Sequence, residues 1–414
     1  MARRFGLEWI VTTDHGGRDH AKLNMTQAYK ELKQSRQLVP EVLQFYGMEF
    51  NMPGMDHHTL IIPHAEDEQS VLFEIESRFD ANEVFPIDAD RNTEVARLAA
   101  LDYMNKLPKL PILFTNHPSR SATGIGEYGR DEPWEIRGSN DRAPAVYLGM
   151  EGAPGHQAGT LAPDGSPVLD LSGEPSGFRG WYRNPGAHTL GGFDQMTALV
   201  GGVWDSLLGE GRRFWIVATS DSHRNYADPE PSARGIDFWP GEYQKTYVYA
   251  FRTYEDVLDG LRNGRIFAVS GDLVTELDVI ANASGRRVET GGTLGVTANE
   301  SVEVTIRFRD PDTLNGIDEN PKVSRVDLIL GDVGSSTSDR NETTRVFAKF
   351  TDAEWRRDGD NYHMSIALPA FDGDAYIRVR GTSTQESEPQ MDTPGENPWG
   401  DLWFYSNPIF IEVE

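Results

Sequence analysis

The sequence predicts an α/β domain followed by a small all-β sandwich. Three observations predict it. Up to about residue 270, short apolar runs alternate with helical patterns, the signature of parallel β/α architecture. From about Thr275 onward only short alternating runs appear, separated by Gly, Asn and Asp turns. Several of the earlier apolar runs end directly in a His or acid cluster.

Leu7–Thr12 is the first strand candidate, and Thr26–Arg36 reads as a helix with Thr26 as its N-cap. Val42–Met48 and Thr59–Ile62 read as strands. Thr93–Leu107 is an amphipathic helix with Val95, Leu98, Ala99, Leu101 and Met104 on or near one face. Pro111–Thr115, Ala145–Met150 and Phe214–Thr219 are further strands, and Met196–Leu208 is helical. Thr253–Asn263 is a helix opened by the pair Thr253 and Asp256 and closed by Gly264. Segments 119–144 and 152–192 are rich in Gly, Pro, Arg, Asp and Ser and read as long loops. The β region comprises Ser301–Phe308, Ser324–Leu330, Thr344–Phe350, His363–Leu368, Ala375–Arg380 and Pro408–Val413. The expected domains are therefore 1–272 and 273–414.

Composition narrows the function. With 39 Lys plus Arg against 65 Asp plus Glu, the 414-residue chain carries a formal charge of −26, which argues against binding nucleic acid or docking on an anionic membrane. No apolar run approaches the ~20 residues that span a bilayer. Cysteine is absent, which excludes disulfides, iron–sulfur clusters and thiolate chemistry and leaves His, Asp and Glu as metal ligands.

Those residues fall at strand ends. Leu7–Thr13 runs into Asp14-His15, Pro111–Thr115 into Asn116-His117-Pro118, Ala145–Met150 into Glu151, and Phe214–Ser220 into Asp221-Ser222-His223. Val42–Met48 ends in Glu49, and His57 and His58 open the strand Thr59–Ile62. In a parallel β/α barrel the carboxyl ends of the strands share one face, so these residues are expected to converge on one metal pocket. Asp221 and His223, two apart on an extended segment, point to the same side. Asp14 is expected to orient His15 or to touch metal, with a strand-end cap as the plain alternative. His156 in the loop after Glu151 is a candidate to contact substrate or protonate a leaving group, with an ordinary surface histidine as the plain alternative. His20 is expected near the same mouth, and Arg120 could clamp an anionic oxygen or form an ordinary surface ion pair.

The order Thr13-Asp14-His15, Gly47-Met48-Glu49, His57, Asn116-His117-Pro118 and Ser220-Asp221-Ser222-His223 resembles the PHP (polymerase and histidinol phosphatase) metallohydrolase superfamily. The resemblance covers about residues 1–270. It implies a distorted seven-stranded β/α barrel with two or three divalent ions (zinc, manganese or iron). It also implies His15, Glu49, His57, His117, Asp221 and His223 as ligands, His58 competing with His57. A PHP barrel followed by a β domain ending in Trp403-Phe404-Tyr405-Ser406-Asn407-Pro408-Ile409 is similar to the branch related to carbaryl hydrolase. The family opens with a strand carrying His-x-His, whereas no His precedes His15, so this chain is expected to lack that first strand and its ligands.

The expected function is a metal-dependent hydrolase, a phosphoesterase using a metal-activated hydroxide on a small phosphate ester. A carbamate or carboxylic-ester hydrolase is the alternative within the same chemistry. A non-catalytic metal-binding or adhesion protein with an incomplete site is the alternative outside it. A secreted or extracytoplasmic location is expected, with a cytoplasmic one as the alternative.

Overall fold

The structure, a computed structural model, describes residues 1–83, 89–155, 158–159, 178–179, 188–222, 238–334, 338–392 and 397–414. Six strands form a first sheet in chain order: β1 (Trp9–Thr12), β2 (Leu43–Asn51), β3 (His57–Ile62), β4 (Ile112–Thr115), β5 (Tyr147–Pro154) and β6 (Trp215–Thr219). β1 runs parallel to β2, and β4, β5 and β6 are mutually parallel. β3 is antiparallel to both neighbours.

This corrects the expected seven-stranded β/α barrel. The sheet is mixed and open, with β1 and β6 at its edges, and strand outweighs helix along the chain. The reason is local. Only residues 52–56 separate β2 from β3, and a parallel return needs a crossover of a dozen residues or more. A hairpin is what such a short link permits.

Helices connect the other strands. The first runs from α1 (His20–Leu23) through a π turn (Asn24–Ala28) into α2 (Tyr29–Leu38). It starts six residues earlier than the sequence suggests, and Thr26 is inside it, its hydroxyl donating to the Lys22 carbonyl at 2.5 Å. α3 (Glu68–Phe79) follows β3. α4 (Glu94–Met104) is capped as expected, Thr93 Oγ1 accepting from the Ala96 N–H at 3.3 Å. Its buried side differs from the apolar stripe: Val95 is exposed while Arg97 is buried against Glu135 at 3.0 Å. α5 (Pro133–Arg142) lies within the segment 119–144 that reads as loop. Pro133 opens it and Glu135 accepts from the Glu132 N–H at 3.1 Å, start signals that outweigh the loop-like composition. The expected helix 196–208 is split into α6 (Gln195–Ala198) and α7 (Val203–Gly209) by Gly201, whose φ of +75° the helix cannot contain. α8 (Tyr254–Arg262) is capped by Thr253, which accepts from the Asp256 N–H at 3.1 Å.

The rest of the chain is β-rich. Its strands are β7 (Gln244–Val248), β8 (Ile266–Ser270), β9 (Glu276–Ala283), β10 (Arg286–Glu289), β11 (Thr293–Val296), β12 (Val302–Arg309), β13 (Arg325–Asp332), β14 (Arg345–Phe350), β15 (Arg356–Asp358), β16 (Asn361–Leu368), β17 (Ala375–Thr382), β18 (Trp403–Ser406) and β19 (Ile409–Val413). An eight-stranded sheet runs β11-β19-β17-β18-β8-β7, with β13 pairing β17 and β14. A five-stranded sheet runs β10-β9-β12-β16-β15. One apolar core joins the two, with Val279, Ile306 and Met364 from the smaller sheet and Leu328, Val379 and Phe404 from the larger. The expected boundary near residue 272 falls just after β8, which pairs with β7 on one side and β18 on the other.

The eight-stranded sheet also packs on the first sheet. Asn407 clamps the backbone of Ile216 on β6, accepting from its N–H and donating to its carbonyl, each at 3.0 Å. Asp205 on α7 meets Arg378 on β17 through two buried contacts of 2.8 and 2.7 Å. Among the described residues no helix is long and apolar enough to cross a membrane.

Candidate metal centre

Five strand ends meet at one edge of the first sheet. The carboxyl ends of β1, β4 and β6 lead into His15, His117 and Asp221, and Glu49 stands two residues before the carboxyl end of β2. β3 runs the other way, so its amino end, at His57, lies at the same edge. The antiparallel strand that breaks the barrel thus still delivers its histidine to the cluster.

The sheet register selects which histidine. Asn51 pairs with His57 and Glu49 with Thr59, so these four side chains share one face of the pleat. His58 points to the other face. There it is fully buried, with Nε2 3.2 Å from both the Tyr147 hydroxyl and Thr115 Oγ1. Burial pushes its pKa down to about 3. His57 is therefore the residue that faces Glu49.

Glu49 is the hub. Its Oε2 lies 3.1 Å from His15 Nδ1, and its Oε1 lies 2.7 Å from His57 Nδ1 and 3.3 Å from His117 Nε2. The ring centroids of His15 and His57 are 5.0 Å apart, those of His57 and His117 5.4 Å. Backbone pairing fixes the first contact: the Glu49 N–H donates to the Asp14 carbonyl at 2.9 Å and the Gly16 N–H to the Glu49 carbonyl at 3.0 Å. His117 is set by its backbone, at φ +31°, with its N–H donating to Glu151 Oε2 at 2.7 Å.

The electrostatics suit a cation. Burial alone would raise the Glu49 carboxyl, but the His117 and His57 imidazoles outweigh it and hold the group well below the usual carboxylate range. Burial pushes His117 down to about 4, against the pull of Glu49. At neutral pH the pair is thus a carboxylate hydrogen-bonded to a neutral imidazole rather than an ion pair. His57 Nδ1 is buried without a hydrogen-bond partner despite Glu49 Oε1 at 2.7 Å, so that approach is too poorly aligned for an N–H bond. A carboxylate oxygen and an imidazole nitrogen this close are ligand types that one cation could share. Metal bonds of about 2.0–2.1 Å place neighbouring ligand atoms roughly 2.9–3.4 Å apart, near the separations found here.

His15, Glu49 and His57 offer ligand atoms that all lie within 4.8 Å of one another. His117 adjoins this group through Glu49. Asp14 is exposed, and its carbonyl, rather than its carboxylate, is what meets Glu49. Asp221 stands two residues past β6 at φ +42°, outside the tight group. His223 and His156 lie outside the described residues. His20 faces the helices instead. Its Nδ1 lies 2.5 Å from the buried Glu76, whose other oxygen accepts from Asn24 at 3.2 Å, and the Glu76 contact raises its pKa despite burial. Arg120 meets Asp56 Oδ1 at 2.6 Å, which ties it to the residue preceding His57. Asp56 itself was not singled out in the sequence, although Asp56-His57 repeats the doublet Asp14-His15. A cleft lined by Leu110, Pro144, Ala145, Leu148 and Arg262 lies at the amino ends of β4 and β5, away from these residues.

No family model matches the chain, and no curated protein matches it. Among solved structures, a chitin-binding domain from Burkholderia pseudomallei aligns at 11% identity and a TM-score of 0.18 over 30% of this chain. The aligned part spans 57% of that domain's length, and a likeness of this size carries no conclusion about fold or function.

Proposed function

We propose that the chain is a metal-dependent hydrolase, with small phosphate esters as its first substrate class. The observation that supports this reading is the Glu49 carboxylate on β2 gathering the imidazoles of His15, His57 and His117 from the ends of three other strands. The order of these residues along the chain resembles that of the PHP metallohydrolases, and the open mixed sheet departs from their barrel.

His15, Glu49 and His57 would hold a divalent cation, with His117 beside them on Glu49. Such a cation supplies Lewis acidity toward a phosphoryl or carbonyl oxygen. The protein's part is to keep its ligands competent. Glu49 stays ionised and His117 stays neutral at pH 7, so Glu49 presents lone pairs and His117 keeps one ring nitrogen unprotonated. Asp56 accepts from the His57 N–H at 3.0 Å and from Arg120 at 2.6 Å, which fixes the start of β3 and draws a guanidinium toward the cluster.

The test is purification of the full chain, elemental analysis, and assay on nitrophenyl phosphate and a nitrophenyl carboxylic ester with manganese or zinc supplied. The expected result is at least one ion per chain and phosphatase activity that E49Q abolishes. Ester cleavage alone would reassign the substrate class. Absence of bound metal, with equal behaviour of E49Q and the wild type, would overturn the proposal.

A further inference from the structure

Glu151 lies at an irregularity in β5. Its neighbour on β6 is Val217, the next paired residue is Ala153 against Ala218, and Gly152 is left between. A bulge of this kind turns a side chain out of its regular direction. Gly152 suits the position, since a Cβ there would meet the Ile216 side chain at 3.0 Å. The consequence is that the buried Glu151 carboxyl group, its pKa pushed up to about 8 by burial, reaches both flanking strands. Oε2 accepts from the His117 N–H at 2.7 Å, just past β4, and Oε1 accepts from the Thr219 hydroxyl at 2.9 Å, at the end of β6.

Both tethered segments carry strain. His117 sits at φ +31° and Asp221, two residues beyond Thr219, at φ +42°. Non-glycine residues in that region persist only where their surroundings over-determine them. Each Glu151 oxygen thus holds one partner on a flanking segment, and Glu151 is not among the residues of the tight His15–Glu49–His57 group.

We propose that Glu151 is a positioning residue, a bulge-mounted carboxyl group that pins the left-handed turn at His117 and the end of β6 so that the His117 ring faces Glu49. It rests on the metal-site reading for its functional meaning, while the tether itself can be read without metal.

The experiment compares wild type, E151A, E151Q and E49Q as full chains. Titration with manganese or zinc reads affinity, and hydrogen exchange of the His117 amide in metal-free protein reads the tether. E151A is expected to weaken metal binding 10- to 100-fold, as loss of a residue that orients a ligand does, and to speed exchange at His117. E151Q keeps an oxygen for the His117 N–H and an amide for Thr219, so it is expected to restore both readouts to near wild type. A purely structural role would lower the stability of E151A without changing the affinity of the folded protein, and that result overturns the proposal. Unchanged His117 exchange in E151A also overturns it. If wild type and E49Q alike bind no metal while His117 exchange still accelerates in E151A, the tether stands and the hydrolase reading is what fails. Should E151A not fold, E151D, one methylene shorter, takes its place: faster His117 amide exchange than in the wild type supports the tether, and equal exchange overturns it.

Discussion

Glu49 Oε1 lies 2.7 Å from His57 Nδ1 because Asn51 stands opposite His57 in the β2–β3 ladder, which turns both side chains to one face. The adjacent His58 is turned to the other face and fully buried. Two neighbouring histidines thereby acquire different tasks. H57A is expected to weaken manganese or zinc binding by more than about 100-fold, beyond the loss typical of an outer partner, with a small change in stability. H58A is expected to cost roughly 1–3 kcal/mol of stability, from the space left by a fully buried ring and the lost hydrogen bonds to Thr115 and Tyr147, which still bond each other, with affinity within about threefold of wild type. Isothermal titration and urea unfolding of the two variants decide it. Equal loss of affinity in both would show that the register does not separate them.

Gly16 is the residue that lets His15 approach Glu49. A Cβ at Gly16 would stand 2.1 Å from Asp80 Oδ2 and 2.8 Å from Met48 Cε, and Asp80 is held in place by the Asn51 N–H at 2.9 Å. G16A is expected to destabilise the protein by about 1–3 kcal/mol and to lower metal affinity by displacing His15. Wild-type affinity in a folded G16A protein would show that His15 is not a ligand.

The metal-free protein is expected to lose stability on acidification through its buried neutral histidines. Burial holds His58 down to about 3 and His117 down to about 4, both below the ordinary 6.5. A depressed folded-state pKa means that the unfolded chain takes up the proton first. The contribution is complete above pH 6.5 and falls as pH drops, down to about 4 for His117 and about 3 for His58. The slope approaches roughly 1.4 kcal/mol per pH unit for each group. Urea midpoints from pH 7 to pH 4 in the presence of a chelator should show the decline, and H58Q should be less steep. A wild-type stability that is flat across this range would contradict the burial of both rings.

Asp205 and Arg378 join α7 to β17 with neither side chain exposed. Asp205 also accepts from the Tyr376 hydroxyl at 3.0 Å and the Gly201 N–H at 2.8 Å. D205N leaves the guanidinium buried without its counter-charge and is expected to cost about 3–5 kcal/mol. The double variant D205L/R378M is expected to lose less than the two single losses combined. A D205N penalty under about 1 kcal/mol in urea unfolding would mean that water reaches this pair.

Helix and strand positions were largely legible in the sequence where a single local rule governs them. Thr93 and Thr253 cap their helices by the hydrogen bonds that their sequence positions imply. The first helix begins early because packing of Ala21 and Asn24 overrides the cap signal at Thr26. Arg97 replaces Val95 on the buried side of α4 because Glu135, on a helix that composition disguises as loop, supplies its partner.

The candidate ligands were legible because a His or acid at a strand end is visible in the chain itself. His15, Glu49, His57 and His117 meet at Glu49, and Asp221 follows a neighbouring strand end. The sequence by itself thus determined which residue types stand at the ends of which strands, since that follows from local apolar runs and the residues that close them. Tertiary structure alone decided that β3 runs backward, that His57 and not His58 faces Glu49, and that Glu151 bonds the His117 N–H and the Thr219 hydroxyl. Pairing direction, ladder register and a bulge are relations between strands, and no strand carries its partner's half of them.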